Sequence, residues 1–104
     1  MILSGSEEEK LFEAIEYRNV ERVKSILKNS TKNKKILNLN EKDNNYRYYP
    51  LLYAIENNNI EIVKLLTEYA NQHQIILELN KKIIMEIIRF YKLFLIKILK
   101  WFNY

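Results

Sequence analysis

The sequence repeats itself with a shift of 40 residues, and this repetition constrains the fold more than any other feature. Residues 11–16 (LFEAIE) align with residues 51–56 (LLYAIE), and residues 19–24 (NVERVK) align with residues 59–64 (NIEIVK). After an intervening loop, residues 36–40 (ILNLN) align with residues 76–80 (ILELN) at the same shift. Self-similarity at a period of roughly 20–50 residues is typical of repeat proteins, in which each unit is one supersecondary module stacked on the next.

Within each unit the apolar residues follow the i, i+3, i+4 spacing of amphipathic helices. In the first unit the polar residues 17–19 separate two apolar stripes, and Asn19 suits the left-handed conformation that ends many helices. In the second unit the pattern predicts helices over residues 50–57 and 60–72, with Pro50 in a first turn, where its missing N–H costs nothing. The predicted repeat core consists of Leu11, Ala14, Ile15, Val23, Ile26, Pro50, Leu51, Ala54, Ile55, Val63 and Leu66.

The chain has one glycine and one proline among 104 residues, too few for the tight turns of a β-sandwich or barrel. We therefore predict an all-α fold in which antiparallel helix pairs stack and a C-terminal amphipathic helix closes the stack. Residues 1–6 are predicted to be a loose lead-in, and residues 7–80 to form two repeats, at about 8–42 and 48–80. Residues 81–104 would form a degenerate third repeat or a capping helix.

Two segments of the second unit resemble the ankyrin repeat. Residues 49–54 (YPLLYA) match the Thr-Pro-Leu-His-x-Ala opening of that family at Pro50, Leu51 and Ala54. Residues 59–66 (NIEIVKLL) are similar to its second helix, Glu-Ile-Val-Lys-Leu-Leu. The period is 40, longer than the family norm of about 33 residues, and asparagines replace the turn glycines.

The resemblance implies a protein-binding module that works through projecting turns and the concave face of the first helices. A Tyr-Arg-Tyr-Tyr cluster stands where such a turn would project, and other polar or aromatic residues occupy first-helix positions. The candidate partner-binding residues are Tyr46, Arg47, Tyr48, Tyr49, Tyr17, Tyr53 and Asn57. The alternative for the cluster is that one or two of its tyrosines pack against the neighbouring unit.

No catalytic residue, metal ligand set or cofactor site is predicted, and no small-molecule substrate is expected. His73 is the only histidine and cysteine is absent, so neither a catalytic triad nor a His/Cys metal site is available. We expect His73 to be a solvated residue at a helix end. With no glycine-rich phosphate loop, no cysteine and no secretory signal, the sequence predicts a non-enzymatic cytoplasmic protein.

The net charge of +4 is concentrated at the C-terminal end. Residues 81–104 carry six Lys/Arg against one Glu, a net of +5, which leaves −1 for the preceding 80 residues. A basic amphipathic helix over residues 82–104 would cap the repeats, lie on a membrane surface or support a homodimer. Four charged residues, Glu86, Arg89, Lys92 and Lys97, interrupt any membrane-spanning stretch.

The sequence also bears on nucleic-acid binding and on the origin of the chain. Nucleic acid is disfavoured, because no recognised reading motif accompanies the basic charge. A third hypothesis is that the chain is a vestigial fragment of a longer repeat array, since only two units are clear and about three are normally needed for stability.

Overall fold

The computed structural model describes residues 5–42, 49–78 and 81–90, and that part of the chain is α-helical without strands. The helices are α1 (Glu7–Glu16), α2 (Val20–Lys32), α3 (Pro50–Glu56), α4 (Ile60–Gln72) and α5 (Lys81–Phe90). The predicted all-α class is confirmed, and so is the start of a helix at Pro50. Residues 43–48 and 91–104, which include most of the tyrosine cluster and the end of the basic segment, lie outside the described residues.

The first helix begins at a capping box. The Ser6 side chain accepts the Glu9 N–H at 3.2 Å, and the Glu9 carboxylate accepts the Ser6 N–H at 2.8 Å. These bonds satisfy two of the donors that a helix start leaves open. Glu7, Glu8 and Glu9 also place negative charge at the positive end of the helix dipole, which stabilises the start by about 0.3–1 kcal/mol.

The tight turn within each helix pair corrects the assignment of Asn19. The left-handed residue is Arg18 (φ 56°), and in the second unit it is Asn58 (φ 55°). Asn19 instead caps α2, because its side chain accepts the Arg22 N–H at 3.1 Å. An N-cap needs a short side-chain acceptor, which Asn provides and Arg does not, so the left-handed position falls one residue earlier.

The end of each second helix repeats the same backbone geometry. Lys34 (φ 58°) follows α2 and Gln74 (φ 57°) follows α4 in the left-handed region. The N–H of Lys35 then donates to Ser30 O at 3.0 Å, and the N–H of Ile75 donates to Ala70 O at 2.8 Å. These bonds form the Schellman pattern that closes helix C-termini. The shift of 40 residues seen in the sequence is therefore also the shift between equivalent backbone conformations.

The helices form two layers with the core between them. α1 and α2 pair, α3 and α4 pair, α1 packs on α3, and α2 packs on α4. α5 packs against α3 and so extends the row of first helices. Every residue of the predicted repeat core is buried. The segments after the second helices add Leu37, Leu39 and Leu77 to this core.

Polar side chains also join the two units. The Asn40 amide donates to Ile76 O at 2.9 Å and accepts the Glu78 N–H at 2.9 Å, so one side chain satisfies two backbone groups of the next unit. His73 lies at a helix end, as expected, because it is the C-cap of α4. It is half-buried, and its Nε2 also lies 2.9 Å from Thr31 Oγ1 across the same interface. Its ring also lies 4.4 Å from the ring of Tyr69, centroid to centroid.

Candidate partner-binding surface

One exposed surface lies along the first helices, on α1 and α3. The repeat shift places its residues in equivalent pairs, which bring carboxylates and aromatic rings side by side. We call this surface the first-helix face, and it consists of Glu13, Glu16, Tyr17, Tyr53, Glu56 and Asn57.

Tyr17 is the most prominent residue of the first-helix face. It is the C-cap of α1, where its N–H donates to Glu13 O at 3.1 Å. The residue remains 73% exposed, so nothing in the described part of the chain covers it. Tyrosine gives a large, rigid contact surface at low entropic cost and is enriched among the residues that dominate interface energies. Tyr17 therefore presents a large, rigid aromatic surface to solvent at the end of α1.

The middle of the first-helix face contains a second aromatic contact. Tyr53 is half-buried, and its ring centroid lies 6.1 Å from that of Phe12 at an interplanar angle of 51°. Such tilted pairs hold both rings in place. Phe12, which is 7% exposed, was not among the predicted site residues, although it aligns with Leu52 at the repeat shift. Asn57, the C-cap of α3, is half-buried and is the equivalent of Tyr17.

The charge of the first-helix face is negative. Glu13, Glu16 and Glu56 are all exposed on it. The one lysine of α1, Lys10, is paired with Glu7 at 2.9 Å and lies at the other end of that helix. The face therefore presents carboxylates beside exposed aromatic surface.

Carboxylates at the start of α1 also affect the pKa of a glutamate in the segment after α2. Burial raises the pKa of Glu41 above its ordinary value, and the charges of Glu8 and Glu9 raise it further. Glu8 is fixed in position because it accepts the Asn38 N–H at 2.9 Å. The acidic character of this end of the molecule thus extends from α1 to the segment that leads towards the second unit.

The predicted turn cluster is only partly described by the structure. Tyr46, Arg47 and Tyr48 lie outside the described residues. Tyr49 is 9% exposed and donates its hydroxyl hydrogen to Glu78 Oε2 at 3.1 Å. The Lys42 ammonium lies 5.3 Å from its ring centroid. Tyr49 therefore packs within the repeat core, and we leave it out of the surface offered to a partner.

The described residues were searched for a metal-binding group and for a membrane-spanning helix. No group of three or more His, Cys, Asp and Glu side chains there is arranged to hold a metal ion. His73, the single histidine, bonds Thr31 at the interface between the units. A search of the same residues for a helix long and apolar enough to cross a membrane found none.

Comparison with known proteins identifies one related family. A family model described as Ankyrin repeats (3 copies) matches residues 4–89, which include both helix pairs and most of α5. Comparisons with curated proteins and with solved structures gave no match.

Proposed function

Because the chain belongs to the ankyrin repeat family, we propose that it is a non-catalytic module that binds a protein partner through its first-helix face. Ankyrin repeats are generally protein–protein interaction modules. The observation that carries the choice of surface is the exposure of Tyr17, 73%, at the end of α1. The proposal retains the cytoplasmic location predicted from the sequence.

The chemistry of the face supports a basic partner segment. Exposed Glu13 and Glu16 flank Tyr17 on one unit, and Glu56 lies at the position of the second unit that aligns with Glu16. A lysine or arginine of the partner would pair with a carboxylate and also stack over the tyrosine ring. Complementary charge speeds association and fixes orientation, while the desolvated aromatic anchor supplies most of the affinity.

Affinity capture from extracts of the source organism tests this proposal. The wild-type chain is compared with a Tyr17→Ala/Glu13→Lys double variant, and Ser25→Ala, an exposed change on α2, serves as the matched control. We expect a protein that is retained by the wild type and by Ser25→Ala and lost by the double variant. Thermal melts of all three chains show whether each is folded. If the folded double variant retains the same proteins as the wild type, the first-helix face is not the binding surface.

A second candidate function is binding to a membrane surface through residues 82–104. The observation in its favour is that Ile84, Met85 and Ile88 of α5 are 39%, 59% and 45% exposed. Lys81 and Arg89 of the same helix are exposed as well. Helices that lie on membrane surfaces typically combine apolar and basic residues in this way. Co-sedimentation with vesicles of anionic lipid at low salt tests this candidate. The absence of binding under those conditions would exclude it.

A further inference from the structure

A groove of about 800 Å³ runs between α2 and α4, in the layer of second helices. It lies in the layer opposite to the first-helix face, and none of its residues was among the predicted binding sites. We call it the outer groove. The lining residues that matter for its chemistry are Lys24, Leu27, Lys28, Lys32, Leu65 and Tyr69.

The floor of the outer groove is apolar and firmly held. Leu27 is 7% exposed and Tyr69 is 3% exposed, so both belong to the packed core. Leu65 is half-buried and packs against the same core, which leaves part of its side chain facing the groove. A floor of this kind offers a partner apolar surface to bury without any rearrangement of the protein.

One wall of the outer groove is a row of lysines. Lys24, Lys28 and Lys32 follow one another at four-residue steps along α2 and are all exposed. Lys24 is paired with Glu21 at 3.4 Å. Lys28 and Lys32 have no carboxylate within ion-pair distance in the part of the chain that the structure describes. Residues four apart rise about 6 Å along a helix, so these two ammonium groups repeat at the spacing of carboxylates on a parallel or antiparallel helix.

From this geometry we infer that the outer groove docks an amphipathic helix of a protein partner, with leucine-like side chains on its inner face and acidic residues at i, i+4 along the edge that meets Lys28 and Lys32. Two packed helices form a natural groove for a third, whose ridges fill the space between them. The acidic edge would supply carboxylates to Lys28 and Lys32, which have none within ion-pair distance among the described residues.

Other anionic partners fit the outer groove less well. The wall on α4 carries the exposed carboxylate of Glu68, which would repel a phosphate backbone that spanned the groove. A lipid surface needs a protruding apolar face, whereas the apolar side chains here form the floor of a concavity. The lysine row and the apolar floor together therefore favour a helix with one acidic edge.

A binding assay with a defined peptide tests this inference. The probe is a fluorescently labelled, helix-stabilised peptide with leucine on one face and glutamate at i, i+4 on one edge. Its control has glutamine in place of glutamate. We expect the full chain to bind the glutamate peptide at low salt and the glutamine peptide several-fold to about tenfold more weakly, because two exposed ion pairs are lost. Equal binding of the two peptides would overturn the inference.

Two charge variants locate the binding site. Lys28→Glu/Lys32→Glu reverses the lysine row, while Lys35→Glu/Lys81→Glu changes the net charge equally at exposed lysines that do not line the groove. The first variant should lose roughly tenfold or more in affinity for the glutamate peptide, and the second should lose much less. Both change only exposed side chains, so both chains should remain folded, and thermal melts check this. A similar loss in both variants would mean attraction to net charge and would contradict a specific site.

Two further experiments distinguish binding of an acidic helix in the outer groove from the alternatives. In amide NMR spectra, the glutamate peptide should shift signals of α2 and α4 and leave that of Tyr17 unmoved. Tyr17→Ala should bind this peptide as the wild type does, which keeps the outcome independent of the proposed function of the first-helix face. A single-stranded oligonucleotide and anionic vesicles are titrated under the same conditions. Tighter binding of either one, with the same loss in Lys28→Glu/Lys32→Glu, would overturn the assignment to an acidic helix.

Discussion

The hydroxyl groups of Ser30 and Tyr69 lie 2.6 Å apart and join the second helices of the two units through a buried hydrogen bond. The Ser30 hydroxyl donates to Leu27 O at 3.0 Å, and the Leu37 N–H donates to the Tyr69 oxygen at 3.0 Å. Since the single hydrogen of Ser30 is used on Leu27, Tyr69 is the donor to Ser30. Every polar atom of this chain of bonds is thereby satisfied inside the core.

Tyr69→Phe should destabilise the protein by about 1–3 kcal/mol, because it leaves the buried Leu37 N–H without an acceptor. The apolar ring remains, so the loss reports the hydrogen bonds and not a cavity. Urea denaturation of the wild type and the variant measures the difference. Tyr17→Phe, the same change at a 73% exposed residue, is the control and should leave the midpoint unchanged. Equal midpoints for all three chains would show that the network contributes nothing.

The sequence predicted the core around this network but not the network itself. Residues such as Val23 and Ile26 follow from helical periodicity, which is local. Ser30 and Tyr69 are 39 residues apart, so their contact depends on how far one unit slides past the next. Nothing in the spacing of residues along α2 or α4 determines that offset. The same reason explains why the bond between His73 and Thr31 was not foreseen.

Lys34→Gly should stabilise the protein by roughly 0.5–1 kcal/mol. Lys34 has φ 58°, where a side chain with a Cβ atom costs about 1–2 kcal/mol and glycine does not. Part of that gain is offset by the greater freedom of glycine in the unfolded chain. The matched control is Asn33→Gly at the adjacent exposed residue, where φ is −88° and glycine brings only the entropic loss. Melting curves in which Asn33→Gly gained as much as Lys34→Gly would contradict this account.

The turn residues show where sequence preference is a weak guide. The sequence predicts Asn19 at the left-handed position, because asparagine tolerates that conformation better than most residues. The structure places Arg18 there and uses Asn19 as an N-cap. Without glycine the turn has no residue that marks the left-handed position, so the path of the chain between two packed helices decides it. The preference of asparagine for N-caps then outweighs its preference for the left-handed region.

Glu41→Gln should stabilise the protein at about pH 7 and make no difference at about pH 3. Burial and the carboxylates of Glu8 and Glu9 raise the pKa of Glu41 in the folded state. The folded protein therefore holds this proton more tightly than the unfolded chain, and stability is lost as the pH rises through the raised pKa. Above that range, the charged carboxylate is a net cost that glutamine removes. Glu68→Gln on α4 is the control for the change in net charge. A gain in stability from Glu41→Gln that increased towards low pH would contradict the expected pH dependence.

Ala54→Asp should unfold the chain. Ala54 is fully buried in α3, which packs against α1, α4 and α5, so an aspartate there would place an unpaired charge between helices. The cost exceeds about 4 kcal/mol, most of the stability of a small domain. Ser25→Asp introduces the same side chain on the exposed face of α2 and should leave a cooperative melt. Thermal unfolding of the two variants is followed by circular dichroism. If Ala54→Asp unfolds at the same temperature as the wild type, the helix packing described here is wrong.

Some residues of the candidate surfaces can be predicted from the local sequence pattern, whereas others depend on how the helices pack. The position of Tyr17 at a helix end follows from the repeat, and its exposure agrees with an outward-facing residue. Tyr49 belongs to the predicted tyrosine cluster at residues 46–49, yet its hydroxyl donates to Glu78 and its ring is buried. The lysines of α2 were not among the predicted site residues. They form a wall of the outer groove only because α4 packs beside α2, which the sequence does not show.

Removal of residues 81–104 should destabilise the remaining repeats. α5 packs against α3, and burial of only about 100 Å² of apolar surface in that contact would contribute roughly 2 kcal/mol. Urea denaturation is compared for the full chain, a chain that ends at Asn80 and a chain that ends at Phe90, the last of which retains α5. We expect the chain ending at Asn80 to be the least stable, since the open side of α3 is then exposed to water. If it unfolds at the same urea concentration as the full chain, α5 does not stabilise the repeats, and its apolar residues are free to contact a membrane or a second copy.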